Sequence, residues 1–354
     1  MNEKIKRTVF SRQFWGKNYD KMKLFRKKQF ENTIKMEGDT RKERFVRYLK
    51  FFFLPCFRAS EINRVEFEIG KIKSKRTFFR RFLTPLTILG VICLLFIFWC
   101  AVFPNWASKY TFEEIAVWVN IYDPAYDTPS LKHPLGTGGS AWDILARNIW
   151  SSRFSLQISF LAVAIAFVIG ILLGIISAYA GGWVDNILMR VVDAFVVFPA
   201  LILAFLFIAI WGNKLQYIMI ALGLSGIPAY ARIARASALQ EKSKLYVDAG
   251  KAAGASRFKI MFKHILPNAW TPLIVRVTFH LAVATLSVAG LSFLGFAVSD
   301  VPTWGWDINA ARSHMYRAPW AMVWPGVWIT IAALGFQLIG DGLRDVLDPK
   351  LKLL

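Results

Sequence analysis

Hydrophobic residues in this chain gather into long uncharged runs divided by polar stretches. At about 1.5 Å per residue, a helix of about 20 residues crosses the roughly 30 Å hydrocarbon layer of a bilayer. Runs of that length cover about 83–103, 155–180, 187–211, 215–232, 270–296 and 320–339. The pattern predicts an all-α polytopic membrane protein with six transmembrane helices. Gly181-Gly182 breaks the second span, and Gly223, Gly226 and Pro228 predict a kink or a tight helix contact in the fourth. Arg190 and Asp193, three apart on the third, are expected to pair with each other rather than to bind a ligand.

The polar stretches set the orientation. The formal charge of +21 belongs mostly to residues 1–82, where 24 Lys and Arg stand against 9 Asp and Glu, a net of +15. A basic segment beside a first span marks a cytoplasmic side. Residues 235–266 agree, with seven basic side chains against Glu241 and Asp248, whereas residues 104–154 carry four basic and five acidic. Both termini and the 236–266 segment are therefore expected in the cytoplasm, with 104–154 outside, a core at 155–342 and a tail at 343–354. Within the extension, Phe45, Leu49, Phe52 and Phe53 share a helical face beside Arg44, Arg47 and Lys50. This is either an interfacial helix on anionic lipid or a mobile tail. The start, Met-Asn-Glu-Lys-Ile-Lys-Arg, has no short apolar stretch with a cleavage site, so no removable signal peptide is expected. Nothing resembling a finger, a helix-turn-helix or an aromatic RNA-binding signature accompanies the charge, so no nucleic-acid partner is expected.

Residues 243–267 are polar but patterned. Lys244, Asp248 and Lys251 form a charged stripe, and Leu245, Ala249 and Ala252 a small apolar one, predicting a short helix suited to close approach. Gly254 can take the positive φ that stops a helix, and Ser256 can cap a second one. Phe258, Met261, Phe262 and Ile265 would give that helix an apolar face, and Leu266-Pro267 would end it.

The string Tyr246-Val247-Asp248-Ala249-Gly250-Lys251-Ala252-Ala253-Gly254-Ala255-Ser256, followed by Leu266-Pro267, resembles the EAA coupling motif of binding-protein-dependent ABC importer permeases. Asp248-Ala249-Gly250 stands where that family has Glu-Ala-Ala, and His264 replaces an aliphatic residue. The segment His133-Pro134-Leu135-Gly136-Thr137, with Gly138, Ala141, Trp142 and Asp143, is similar to the His-Pro-Leu-Gly-Thr-Asp and Gly-Arg-Asp words of the dipeptide, oligopeptide and nickel class. Here Gly138 replaces the Asp, Ala141 the Gly and Trp142 the Arg. The words Leu291-Ser292-Phe293-Leu294-Gly295-Phe296, Pro302-Thr303-Trp304-Gly305 and Gly340-Asp341-Gly342-Leu343-Arg344-Asp345 also fit that class.

The resemblance implies a type I ABC importer permease fold in the cell membrane. It further implies pairing with a second, homologous permease, two ATPase subunits and an external substrate-binding protein. Tyr246, Asp248, Ala249, Gly250, Gly254, Ala255, Ser256, Leu266 and Pro267 would form the ATPase-coupling segment. The cargo would be peptides, with nickel chelates or oligosaccharides as alternatives on the same scaffold. A secondary transporter or channel needing no ATPase is the rival of another class, but its inverted halves and paired broken helices are not evident.

The chain has no Gly-x-x-x-x-Gly-Lys-Ser/Thr loop, so ATP and magnesium are expected on partner ATPases and no cofactor on this chain. His133, His264, His280 and His314 are too scattered for a metal site, and an enzymatic role has no support. Cys93 and Cys100 share one hydrophobic run and Cys56 lies in the basic extension, so no disulfide framework follows. Arg276 and His280 share a face of the fifth span. Ionisable groups there usually face a bundle interior or polar cavity, so both are candidates for the substrate path, with a structural role as the alternative.

Overall fold

The computed structural model describes residues 82–116, 124–296 and 301–347. The patch at 44–57 and the last residues of the tail lie outside them. Thirteen α-helices occur among the described residues. They are α1 (Pro85–Val102), α2 (Pro104–Ala107), α3 (Phe112–Ala116), α4 (Ile144–Ala180), α5 (Gly182–Val196), α6 (Ala200–Trp211), α7 (Leu215–Lys242) and α8 (Leu245–Ala252). Next come α9 (Arg257–Lys259), a π-helical turn (Ile260–Ile265), α10 (Leu266–Asn268), α11 (Trp270–Leu291), α12 (Trp304–Ala311) and α13 (Trp320–Leu347). Helices α1, α4, α7, α11 and α13 are long and apolar enough to cross a membrane.

The centre of the bundle is the pair α4 and α7. Gly223 lies against Ile165, Gly170 against Tyr230, Gly174 against Ala234, and Ala178 against Lys242. These numbers rise together, so the two helices run parallel. Small residues allow the approach: a Cβ on Gly174 would sit 2.7 Å from the Ala234 Cβ and 2.9 Å from the Arg235 amide nitrogen. Between helices in a bilayer such packing replaces the hydrophobic drive that operates in water. Gly223 and Gly226 thus serve tight contacts within a helix that continues through Pro228.

Parallel α4 and α7 require residues 182–214 to return the chain from one end of the bundle to the other. The expected third span does this as two helices rather than one: α5 and α6 are bent by 84° where Phe198-Pro199 interrupts them. Proline lacks an amide hydrogen and disfavours helix in the residue before it. Helix α6 alone spans only about 18 Å, and it packs Ala204 and Ile208 against Ile158, Ala162, Ile218 and Leu222. Helix α5 lies against the opposite end of α7. There Asp193 accepts from Arg232 at 2.7 Å, so the expected partnership with Arg190 gives way to one across helices.

Two other boundaries differ from expectation. The second span begins at Ile144 rather than 155, because Asp143 caps its first turn by accepting from the Ala146 amide at 2.7 Å. The resulting 37-residue helix is about 55 Å long. Helix α13 continues to Leu347, so the segment beyond 342 begins as helix.

Candidate functional site

The segment after α7 folds into two short helices joined at Gly254. Helix α8 ends in a closed turn: the Gly254 amide donates to Lys251 O and the Ala255 amide to Gly250 O, each at 3.0 Å, with Gly254 at φ +75°. This double hydrogen bond satisfies carbonyls that a helix end leaves open, and its left-handed residue explains the glycine. Ser256 then caps the next helix, accepting from the Lys259 amide at 3.3 Å. Asp248 and Lys251 pair at 2.8 Å on the exposed face, and this hydrogen bond holds the Lys251 ammonium above its ordinary pKa.

The second helix differs from a regular one. A π-helical turn from Ile260 to Ile265 widens the repeat, so that these two residues, five apart, are both buried. Phe258 is left exposed at 67% and packs at a tilt against Phe262 with ring centroids 4.4 Å apart. The expected single apolar face is therefore split, one part inward and one outward. Leu266-Pro267 does not end the helix; Pro267 sits in the first turn of α10, where its missing amide hydrogen costs little, and the break falls at Ala269.

Tyr246 turns inward. Its hydroxyl donates to Glu241 Oε2 at 2.8 Å and accepts from Asn268 Nδ2 at 3.4 Å, while Asn268 also donates to His264 O at 2.7 Å. One side chain thus ties α7, α8 and α10 together. Burial, and then the Glu241 carboxylate that accepts from it, push the Tyr246 hydroxyl up to about 12. Val247 beside it is 1% exposed, whereas Leu245 is 87% exposed. The segment therefore presents Leu245, Asp248, Ala249 and Phe258 to the outside on an internally braced frame.

Residues 170–353, which contain this whole segment, match the family described as the binding-protein-dependent transport system inner membrane component. The chain belongs to this family. The dipeptide transport system permease protein DppC of Alkalihalophilus pseudofirmus is 39% identical over 225 residues, covering 63% of this chain and 74% of that protein. The glutathione transport system permease protein GsiD of Pectobacterium atrosepticum is 35% identical over 283 residues, covering 78% and 91%. The di/tripeptide transport system permease protein DppC of Pseudomonas aeruginosa is 37% identical over 265 residues, covering 74% and 88%. Among solved structures, an inward-facing form of the MetNI methionine ABC transporter aligns at 22% identity with a TM-score of 0.47, covering 57% of this chain and 96% of that one.

In this binding-protein-dependent permease, Arg276 and His280 both lie on α11 but in different surroundings. His280 is buried, its Nδ1 lies 3.2 Å from the Tyr230 hydroxyl of α7, and Gly226 lies against its ring. Arg276, one turn away, is half-buried, and its buried Nε has no hydrogen-bond partner among the described residues.

At the other end of the permease, the His-Pro-Leu-Gly-Thr stretch is a structural lock. His133 Nδ1 lies 2.8 Å from Asp143 Oδ2, so Asp143 both caps α4 and holds the loop. Arg147 Nε donates to Asp307 of α12, both side chains buried, and the guanidinium packs over Trp142 at 4.2 Å and Trp306 at 4.9 Å. A Cβ on Gly138 would collide with the Trp142 indole, so the departures at 138 and 142 belong together: the large indole occupies space that a side chain at 138 would need. Ala141 stands at φ +56°, a backbone that favours the glycine of the related pattern. The Arg147 to Asp307 link, 160 residues apart, was not readable in sequence. Nor were the roles of Glu241 and Asn268, although Glu241 five residues before Tyr246 was a local hint.

Proposed function

We propose that this permease is one of two transmembrane subunits of an ATP-driven peptide importer, and that 245–268 is the segment through which the partner ATPases drive it. The observation that carries the coupling reading is the braced frame: Gly254 closes α8, Tyr246 ties it to α7, and Leu245 and Phe258 stay exposed for a partner. Exposed apolar side chains beside a paired Asp248 and Lys251 suit a protein groove better than lipid, where a small helix rich in Ala and Gly would anchor poorly. The end of the bundle that carries Lys242 is then cytoplasmic, as are both termini. A second homologous permease, two ATPases holding ATP and magnesium, and an external substrate-binding protein complete the complex. Peptide cargo is supported by the names of the relatives, which transport dipeptides, di- and tripeptides or glutathione. This subunit itself performs no chemistry. Arg276 and His280 belong to the peptide path in this reading, with the Arg276 cation available to a peptide carboxylate.

The test is transport by the complete importer in proteoliposomes. Nothing among the described residues of this chain lies within 4 Å of a Cβ at Gly254, so within this subunit Gly254→Val acts through the backbone, forcing a β-branched residue into positive φ. The variant is expected to assemble and hydrolyse ATP but to import little peptide. Import at the wild-type rate would remove the coupling reading.

A further inference from the structure

The last carbonyls of a helix have no partner within it. At the end of α4 two of them are met by another helix: Lys242 Nζ donates to Ala178 O at 3.0 Å and to Tyr179 O at 2.8 Å, with the ammonium 5.6 Å from the Tyr179 ring. A cation at a helix C-terminus also complements the helix dipole. Arg235 lies seven residues earlier, on the same face of α7. Its Nε and Nη2 donate to the two Asp185 oxygens at 2.7 and 2.6 Å, a bidentate pair, and Asp185 also accepts from Ser177 of α4. About one turn of α4 before these two ties, Gly174 brings the backbones of α4 and α7 together.

The path from this joint to α8 is short and stiff. Only Ser243 and Lys244 separate Lys242 from Leu245. Lys244 pairs with Glu241 at 2.6 Å, and Tyr246 donates to the same carboxylate at 2.8 Å. Bending between 241 and 246 would break charge-assisted hydrogen bonds, which are about twice as strong as neutral ones. A push on α8 therefore passes to Lys242 before it is absorbed.

We propose that Lys242 and Arg235 are positioning residues for coupling: they clamp the end of α7 to the last turn of α4 and the start of α5, so that displacement of α8 by the ATPases moves α4 and α7 as one body. This rests on the reading that α8 docks an ATPase. Lys242 donates at a place where α4 would otherwise present open carbonyls, so its loss unties the last turn of α4 from the end of α7 without altering the outward face of α8.

The experiment uses the whole importer with its second permease and ATPases, reconstituted in proteoliposomes, measuring ATP hydrolysed per peptide imported. Lys242→Met keeps most of the aliphatic stem and removes the donors. The complex is expected to purify with its ATPases and to hydrolyse ATP, while the ratio rises by about tenfold for the loss of charge-assisted hydrogen bonds. Lys242→Arg, which keeps charge and donors, should restore the ratio, and Arg235→Gln should raise it in the same direction. A purely stabilising lysine would lower the amount of complex and leave the ratio unchanged. An unchanged ratio in Lys242→Met, release of the ATPases by it, or failure of Lys242→Arg to restore coupling would each overturn the proposal. If Gly254→Val uncouples while Lys242→Met does not, the clamp fails and the coupling reading stands; normal import by Gly254→Val sinks the coupling reading itself.

Discussion

Replacing Tyr246 with Phe isolates the contribution of one hydroxyl to the rigidity of the coupling segment. The ring keeps its packing beside Val247, and what is lost is the bond to Glu241 Oε2 at 2.8 Å with two weaker contacts, from Asn268 at 3.4 Å and to His264 O at 3.5 Å. A hydrogen bond to a charged group is worth about 1.5–3 kcal/mol. Glu241, whose side chain is 12% exposed, keeps Lys244 at 2.6 Å and so is not stranded, which puts the expected loss near the lower end, about 1.5 kcal/mol. Local opening of 245–268 should then become about tenfold more frequent. Amide hydrogen exchange on the intact complex at neutral pH reads this directly, with α4 and α7 as internal references.

The same hydroxyl fixes the pH dependence. Its pKa in the folded protein is raised from about 10 to about 12, by burial first and by Glu241 second. A group raised on folding stabilises fully below its unfolded pKa and loses that contribution as pH climbs through the folded one. The difference in opening between wild type and Tyr246→Phe should therefore be constant from about pH 7 to 9 and shrink only between about pH 10 and 12. Equal exchange in the two proteins, or a difference that already varies between pH 7 and 9, would refute the reasoning.

Two further outcomes follow from the buried charges. Asp307→Leu strands the Arg147 guanidinium between Trp142 and Trp306 and should destabilise the permease by about 3–5 kcal/mol in thermal unfolding, whereas the double variant Arg147→Met with Asp307→Leu should recover most of that loss. Arg276→Gln keeps hydrogen bonding and removes the charge, so competition uptake should show a larger loss for peptides with a free C-terminal carboxylate than for amidated ones; equal losses would mark Arg276 as structural.

What the sequence made legible was local. Gly254 and Ser256 announce a turn and a cap because each acts through its own backbone or within three residues, and the structure has both in those roles. The apolar runs likewise announce helices, since a 30 Å slab leaves few other ways to satisfy the backbone. The misreadings share a different cause. A period of 3.6 residues cannot anticipate the π-turn that buries Ile260 with Ile265, because nothing in the residue types distinguishes a repeat of five from one of four. The bend at Phe198-Pro199 did have a local signal, and the apolar run around it hid the proline's effect. Arg190 and Asp193 satisfied a spacing rule, yet Asp193 found Arg232, 39 residues on, because α5 lies across α7.

The clamp at Lys242 shows why this limit falls where it does. In sequence, a lysine at the end of a span is one more cytoplasmic positive charge, and the charge count treats it as equivalent to Lys244 or Lys259. What separates it is that Ala178 and Tyr179, more than 60 residues earlier, end their helix within its reach. That depends on α4 and α7 being parallel and in register, which in turn depends on Gly170 and Gly174 meeting Tyr230 and Ala234, and on α5 and α6 carrying the chain back between them. A functional side chain of this kind is specified by packing first and by its own chemistry second. Coupling residues that do not touch the ATPase should therefore be sought where one helix end closes another, not only within the motif that the ATPase meets.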